Sequence, residues 1–224
     1  MSKFLGRVFS LMLLVGMTGC ASTIEALNSS PADRYTPEQF AGAARINNTS
    51  LDVVATISTG STSEYRLNLP MYGDSAEAFI QASVNKQTGN ITYSVVAEAF
   101  YTREWRFYDT VNYLTVSGPE QRSLTVVDRD FKCESSLCKY HEVVSFPISQ
   151  DLIRQLASYH IQDVSAPWTF RISKSGQQQL VQLRTAEIAG AVLAAERVAT
   201  NLGHPPRNPF QLRQPVSPAT VEGS

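Results

Sequence analysis

A chain of 224 residues with 43% hydrophobic side chains is long enough for one domain with a substantial core, or for two small ones. Its 19 Lys and Arg against 20 Asp and Glu give a net charge of −1. That balance excludes the basic footprint of a nucleic-acid binder and of a protein held on anionic lipid by charge alone.

The first nineteen residues differ in character from the rest. Lys3 and Arg7 make a positive opening, the apolar run Val8-Phe9-Ser10-Leu11-Met12-Leu13-Leu14-Val15 follows, and Gly16-Met17-Thr18-Gly19 lead to Cys20. The run is shorter than the roughly 20 apolar residues a helix needs to cross a bilayer, but it fits the apolar region of a secretory signal peptide. This ending resembles the lipobox of bacterial lipoproteins, with Met17 standing where Leu is usual. The resemblance implies removal of residues 1–19 and a diacylglycerol on the sulfur of Cys20. Each buried CH₂ of such palmitate-type chains contributes about 0.8 kcal/mol, and two chains anchor stably where one does not. Because Ala21 rather than Asp follows the cysteine, the resemblance further implies the inner leaflet of the outer membrane, facing the periplasm.

Without Lys3 and Arg7, 17 of the 19 cations remain against 20 carboxylates, a net of −3. Residues 20–35 are small and polar, as in Asn28-Ser29-Ser30-Pro31, and read as a flexible tether of roughly 20 Å root-mean-square span. Thr36-Pro37-Glu38 opens a short helix, with Thr36 as N-cap and Pro37 at the first helical position. Candidate strands then cover 51–57, 64–69, 77–84, 91–101, 105–116, 124–133 and 138–146. Gly60-Ser61, Pro70, Thr88-Gly89-Asn90 and Gly118-Pro119 punctuate them.

Two hairpins can be set in register. A three-residue loop 87–89 places Phe79 opposite Ala97 and Ile80 opposite Val96. A four-residue loop 134–137 places Cys133 opposite Cys138. It then pairs Phe131 with Tyr140, Arg129 with Glu142, Val127 with Val144 and Thr125 with Phe146, with Lys132 facing Lys139 on the other side. Aromatic, opposite-charge and apolar matches on one face favour this register. An even pair of cysteines in an exported chain predicts a structural disulfide, contributing on the order of 2 kcal/mol.

A capped helix is expected from Ser149 to about Tyr159, then strands at 168–172 and 180–183, joined around Ser175-Gly176. A last helix starts at Thr185, with Ile188, Val192, Ala195, Val198 and Leu202 on its apolar stripe and Glu187, Glu196 and Arg197 away from it. Gly203 ends that helix. Residues 204–224, rich in Pro, read as a disordered tail. This order predicts a single α+β domain over 36–203: a large antiparallel sheet or sandwich of about nine strands with two packed helices.

The chemistry-bearing residues are few. The Cys133-x₄-Cys138 spacing lacks the Cys-x-x-Cys of redox pairs. His141, His160 and His204 are the only histidines, and His141 and Glu142 project to opposite faces of a strand, so no metal site is expected. The register puts Asp130 opposite His141. No nucleophile elbow, phosphate loop or dinucleotide fingerprint is present, and no cofactor is expected. The segment from Phe100 to Asp109 holds five aromatics and two arginines. Strand alternation puts Trp105 and Phe107 in the core and leaves Arg106 and Tyr108 half-exposed. Trp105, Arg106 and Tyr108, with Ser135 at the hairpin tip, form the candidate binding surface.

The resulting expectation is a lipid-anchored, non-enzymatic protein that binds or stabilises an envelope protein or cell-wall component. The alternative is a periplasmic hydrolase of envelope glycan or peptide, built from carboxylates such as Asp128, Asp130 or Glu142. Two facing carboxylates about 5–9 Å apart in a cleft would favour it.

Overall fold

The computed structural model describes residues 35–60, 74–134, 137–161 and 166–206. The lipobox with Cys20, the tether to residue 34, the strand expected over 64–69, Ser135 and the tail from residue 207 lie outside the described residues.

The described strands are β1 (Arg45–Asn47), β2 (Val54–Ser58), β3 (Ser75–Asn85), β4 (Ile91–Thr102), β5 (Thr110–Thr115), β6 (Gly118–Ser123), β7 (Thr125–Glu134), β8 (Leu137–Ile148), β9 (Trp168–Lys174) and β10 (Gln177–Leu183). The helices are α1 (Pro37–Ala43), α2 (Gln150–Ile161) and α3 (Thr185–Asn201). All pairings are antiparallel, giving a curled six-stranded sheet in the order β1-β2-β3-β4-β8-β7 and a four-stranded sheet in the order β10-β9-β5-β6. The fold is thus α+β, as its strand-then-helix order predicts.

Alternation builds the inner face of the large sheet. Ala55 and Ile57 on β2, Ile80, Ala82 and Val84 on β3, and Ile91, Val95 and Ala97 on β4 are buried there. Helix α3 packs against β2 and β3. The second sheet meets β8 through aromatics: Tyr113 and Phe170 lie 5.6 and 5.4 Å from Phe146 between ring centroids, and Trp168 lies 5.7 Å from Tyr113. Tyr113 stacks on Phe146 and the other two pairs meet edge to face, the arrangements aromatic rings prefer at these separations.

Helix α1 begins with a capping box, in which the Gln39 N–H donates to Thr36 Oγ1 and the Thr36 N–H to Gln39 Oε1. It crosses α3 at Gly190, where an added Cβ would stand 2.5 Å from the Cβ of Phe40 and 2.8 Å from the Pro37 carbonyl oxygen. Only glycine permits that approach. With the sheet on one side and α1 and α2 on others, α3 is buried nearly all round. Its Glu187 and Glu196, expected on a solvent face, are 1% and 6% exposed. Glu196 accepts from Arg154 of α2 at 3.2 Å.

The 87–89 loop is one residue longer than its predicted form. Asn85 Oδ1 accepts the N–H groups of Gln87 and Thr88, the Asn85 N–H donates to the Asn90 carbonyl, and the Gly89 N–H donates to the Asn85 carbonyl. The four-residue turn over 86–89 shifts the register by one. Phe79 faces Val96, and Ile80 faces Val95 rather than Val96. Since a one-residue slip exchanges faces, this register puts two fully buried residues side by side.

The disulfide hairpin is present. Cys133 and Cys138 are bonded, Phe131 faces Tyr140, Arg129 faces Glu142 and Lys132 faces Lys139. Glu134 pairs with Leu137, so the loop is two residues, not four. Farther along, a β-bulge between Val126 and Asp128 leaves Val127 unpaired, so Val126 rather than Val127 faces Val144, and Thr125 faces Ser145 rather than Phe146. The strand expected over 105–116 begins only at Thr110, and Gly118-Pro119, read as punctuation, opens β6. Proline is accepted there because β6 is an edge strand.

Past Gly203 (φ 90°), the His204 N–H returns to the Ala199 carbonyl, and Nε2 lies 3.0 Å from the Lys86 carbonyl oxygen. The imidazole covers Gly89, where a Cβ would come within 2.6 Å of its ring. His204 therefore belongs to the packed fold, one residue beyond the predicted boundary.

Candidate functional site

The departure of residues 103–109 from strand geometry creates the most distinctive surface of the molecule. Arg103 (φ 90°) and Phe107 (φ 53°) occupy the left-handed region, at a cost of order 1–3 kcal/mol each for non-glycine residues. Such a backbone persists only where its surroundings hold it.

The restraint is a polar chain built around the buried Tyr101, Tyr108 and Glu142. The backbone N–H of Arg106 donates to Tyr101 Oη at 3.2 Å, and its Nη1 to Tyr108 Oη at 3.0 Å. Its guanidinium also pairs with Asp74 and lies 4.6 Å above the Tyr101 ring. Tyr101 Oη donates to Glu142 Oε2 at 2.8 Å. Glu142, fully buried, accepts on its other oxygen from Arg129 Nε and Nη2 at 2.9 and 2.7 Å. Arg129 in turn lies 4.8 Å from the Phe107 ring. Burial raises the Tyr101 hydroxyl well above the ordinary phenol range, with the neighbouring Glu142 adding to it, and burial likewise raises Tyr108. Both remain protonated, and Tyr101 keeps the proton it donates to Glu142.

What this chain presents outward is aromatic. Phe107 and Phe131 are 43% and 57% exposed, and Trp105 is half-buried between them. Trp105 lies 5.8 Å from Phe107, 6.3 Å from Phe131 and 4.9 Å from Tyr140, with Phe131 and Tyr140 stacked at 6.1 Å. Phe131 is two residues from the disulfide, so the platform joins a restrained loop to a cross-linked hairpin.

Of the predicted surface residues, Ser135 lies outside the described residues, and the structure turns the other three differently from the prediction. Trp105 is on the platform, Arg106 is tucked inward, and Tyr108 is fully buried rather than half-exposed. Phe107 faces out rather than into the core. The reason is that positive φ at Arg103 and Phe107 breaks the two-residue alternation on which the prediction rests. No family model, curated protein or solved structure matches this chain. Geometry alone therefore carries the functional argument.

Phe107, Phe131 and Arg129 are the site residues that sequence reasoning missed. The pairs Phe131–Tyr140 and Arg129–Glu142 were legible as hairpin partners, but not as one side of a surface. Of the carboxylates considered for hydrolysis, Asp128 and Asp130 are exposed and each accepts the N–H of its following residue. Glu142 is committed on both oxygens. His141 faces Asp130 in register, stacks on Phe100 at 4.4 Å and lies 3.7 Å from Glu98. Among the described residues, no group of three His, Cys, Asp or Glu side chains could hold a metal ion.

Proposed function

We propose that the chain is a lipid-anchored protein of the bacterial cell envelope, held through Cys20 in the inner leaflet of the outer membrane. It binds another envelope protein through the Trp105–Phe107–Phe131 platform and carries out no reaction on it. The observation behind the binding reading is that a strained loop, held by a polar chain running to the fully buried Glu142, keeps Phe107 in solvent beside the exposed Phe131. Exposed aromatics backed by a rigid scaffold are the residue types that dominate interface energetics, and strain held in place by its surroundings clusters at binding sites. The lipobox-like residues 16–20 support the anchor.

Photo-crosslinking amino acids placed at 107 and 131 in living cells test the binding reading. Both should capture the same envelope protein, while a probe at exposed Arg197 captures none. No adduct from either platform position would overturn it. Cys20→Ala tests the anchor independently. The expected product is an unprocessed precursor that retains residues 1–19, and normal maturation of that variant would remove the lipoprotein reading.

A further inference from the structure

We propose a second binding site on the outer face of the four-stranded sheet, for an acidic saccharide unit. Strands β5, β9 and β10 send Val111, Tyr113, Phe170, Ile172, Val181 and Leu183 into the core. The alternate positions form an open cleft of about 350 Å³, at the lower end of the roughly 300–1,000 Å³ of small-molecule sites. No apolar side chain lines the cleft itself, so a wholly hydrophobic ligand has too little to bury there.

Register fixes the arrangement. Arg171 on β9 faces Asn112 on β5, which faces Gln121 on β6. Across three strands this is a polar row about 10 Å long. Amide groups both donate and accept, as each sugar hydroxyl does. Ser173 and Gln178, opposite one another in register, extend the hydrogen-bonding surface along the cleft. Leu180, opposite Arg171 and 59% exposed, supplies an apolar shelf beside the row for the C–H face of a ring.

The charges give the ligand its sign. Asp109 accepts from Thr110 at 2.9 Å and from Lys174 at 3.1 Å, so the acid and the amine at the rim satisfy each other. Arg171, by contrast, donates through Nη1 to neutral Gln178 Oε1 at 3.1 Å, and among the described residues no carboxylate pairs with it. The planar guanidinium is left to meet a carboxylate two-pronged. Carboxylate recognition beside a row of hydroxyl-matching amides is the chemistry of a sugar acid.

The test is a titration of the ¹⁵N-labelled full chain with D-glucuronate, reading the side-chain amide resonances of Asn112, Gln121 and Gln178. Saturable shifts are expected, with D-glucose and acetate each binding roughly tenfold more weakly, because each lacks one half of the contacts. Arg171→Gln should weaken glucuronate binding about tenfold without moving the melting temperature, since Arg171 is exposed. Asn112→Asp, which sets a carboxylate beside Arg171, should weaken it similarly. Absence of a saturable glucuronate shift, equal binding of acetate or glucose, or wild-type affinity in Arg171→Gln would each overturn the site.

Discussion

Replacing Glu187 with Gln should flatten the pH dependence of stability between about pH 5 and 8 and raise the melting temperature most at the alkaline end. Glu187 stands in the first turn of α3, 1% exposed, with Oε1 2.9 Å from Thr59 Oγ1. Thr59 also receives the N–H of Ile80 at 3.2 Å, so this one contact ties the end of β2 and the middle of β3 to α3. Burial pushes the Glu187 carboxyl up to about 8, against lowering by the Thr59 hydrogen bond and by Arg184, while Glu77 raises it further.

In the unfolded chain the same group loses its proton near its ordinary value of 4.5. Between the two values the folded chain holds one proton more than the unfolded chain, so stability falls as pH rises. The loss approaches about 1 kcal/mol per pH unit and levels off once the folded group itself ionises. For a domain of this size that is roughly 2–4 °C per unit. In Glu187→Gln the side chain has no proton to lose, and its amide oxygen can still accept from Thr59 Oγ1. Thermal unfolding of both proteins from pH 5 to 9 decides the matter. Curves that run parallel, with no gap opening toward high pH, would show that Glu187 does not titrate in this window.

The burial of Glu187 was hidden in the sequence for a definite reason. An apolar stripe with Glu187 and Glu196 off it predicts a helix with one wet face. Yet α3 also carries Ala189, Gly190, Ala191, Ala194, Ala195 and Ala199, all buried. That density of small residues was the available signal, because a helix approached on several sides needs small residues where its neighbours come close. The disulfide hairpin was legible for the opposite reason. Its pairing is local, and three kinds of favourable cross-strand match agree on one register near the tip. A bulge changes no residue type, so Val126-Val127 gives no sign of the extra residue. The platform loop was hidden in the same way, since φ values typical of glycine fall on Arg103 and Phe107. Hydrogen bonds from Arg106, between them, to the side chains of Tyr101, Tyr108 and Asp74 hold the loop there, and no residue-type pattern announces such bonds.

Arg129→Met should lower stability by about 3 kcal/mol, the lower end of the cost of breaking a buried ion pair from one side. That corresponds to roughly 6–12 °C in melting temperature. Glu142 is fully buried and would retain only the Tyr101 hydroxyl. The lower end applies because Arg129 itself is 29% exposed, so water reaches part of the vacated space. The loss should not stay at the pair. Arg129 also packs on Phe107, and Glu142 orients Tyr101, which receives the Arg106 backbone N–H. With both restraints loosened, the 103–109 backbone can leave its strained conformation, and crosslinking from position 107 should drop in parallel with stability. Adding Glu142→Leu to Arg129→Met removes the stranded carboxylate and should recover most of the stability, since an apolar pair of similar volume is often neutral or better in such a position. Crosslinking should not recover with it, because the two apolar replacements cannot rebuild the hydrogen bonds that set the loop. Recovery of both together would mean that the ionic chain stabilises the fold without shaping the platform. A full loss in the double variant would mean that packing around β7 and β8, rather than charge, carries the cost.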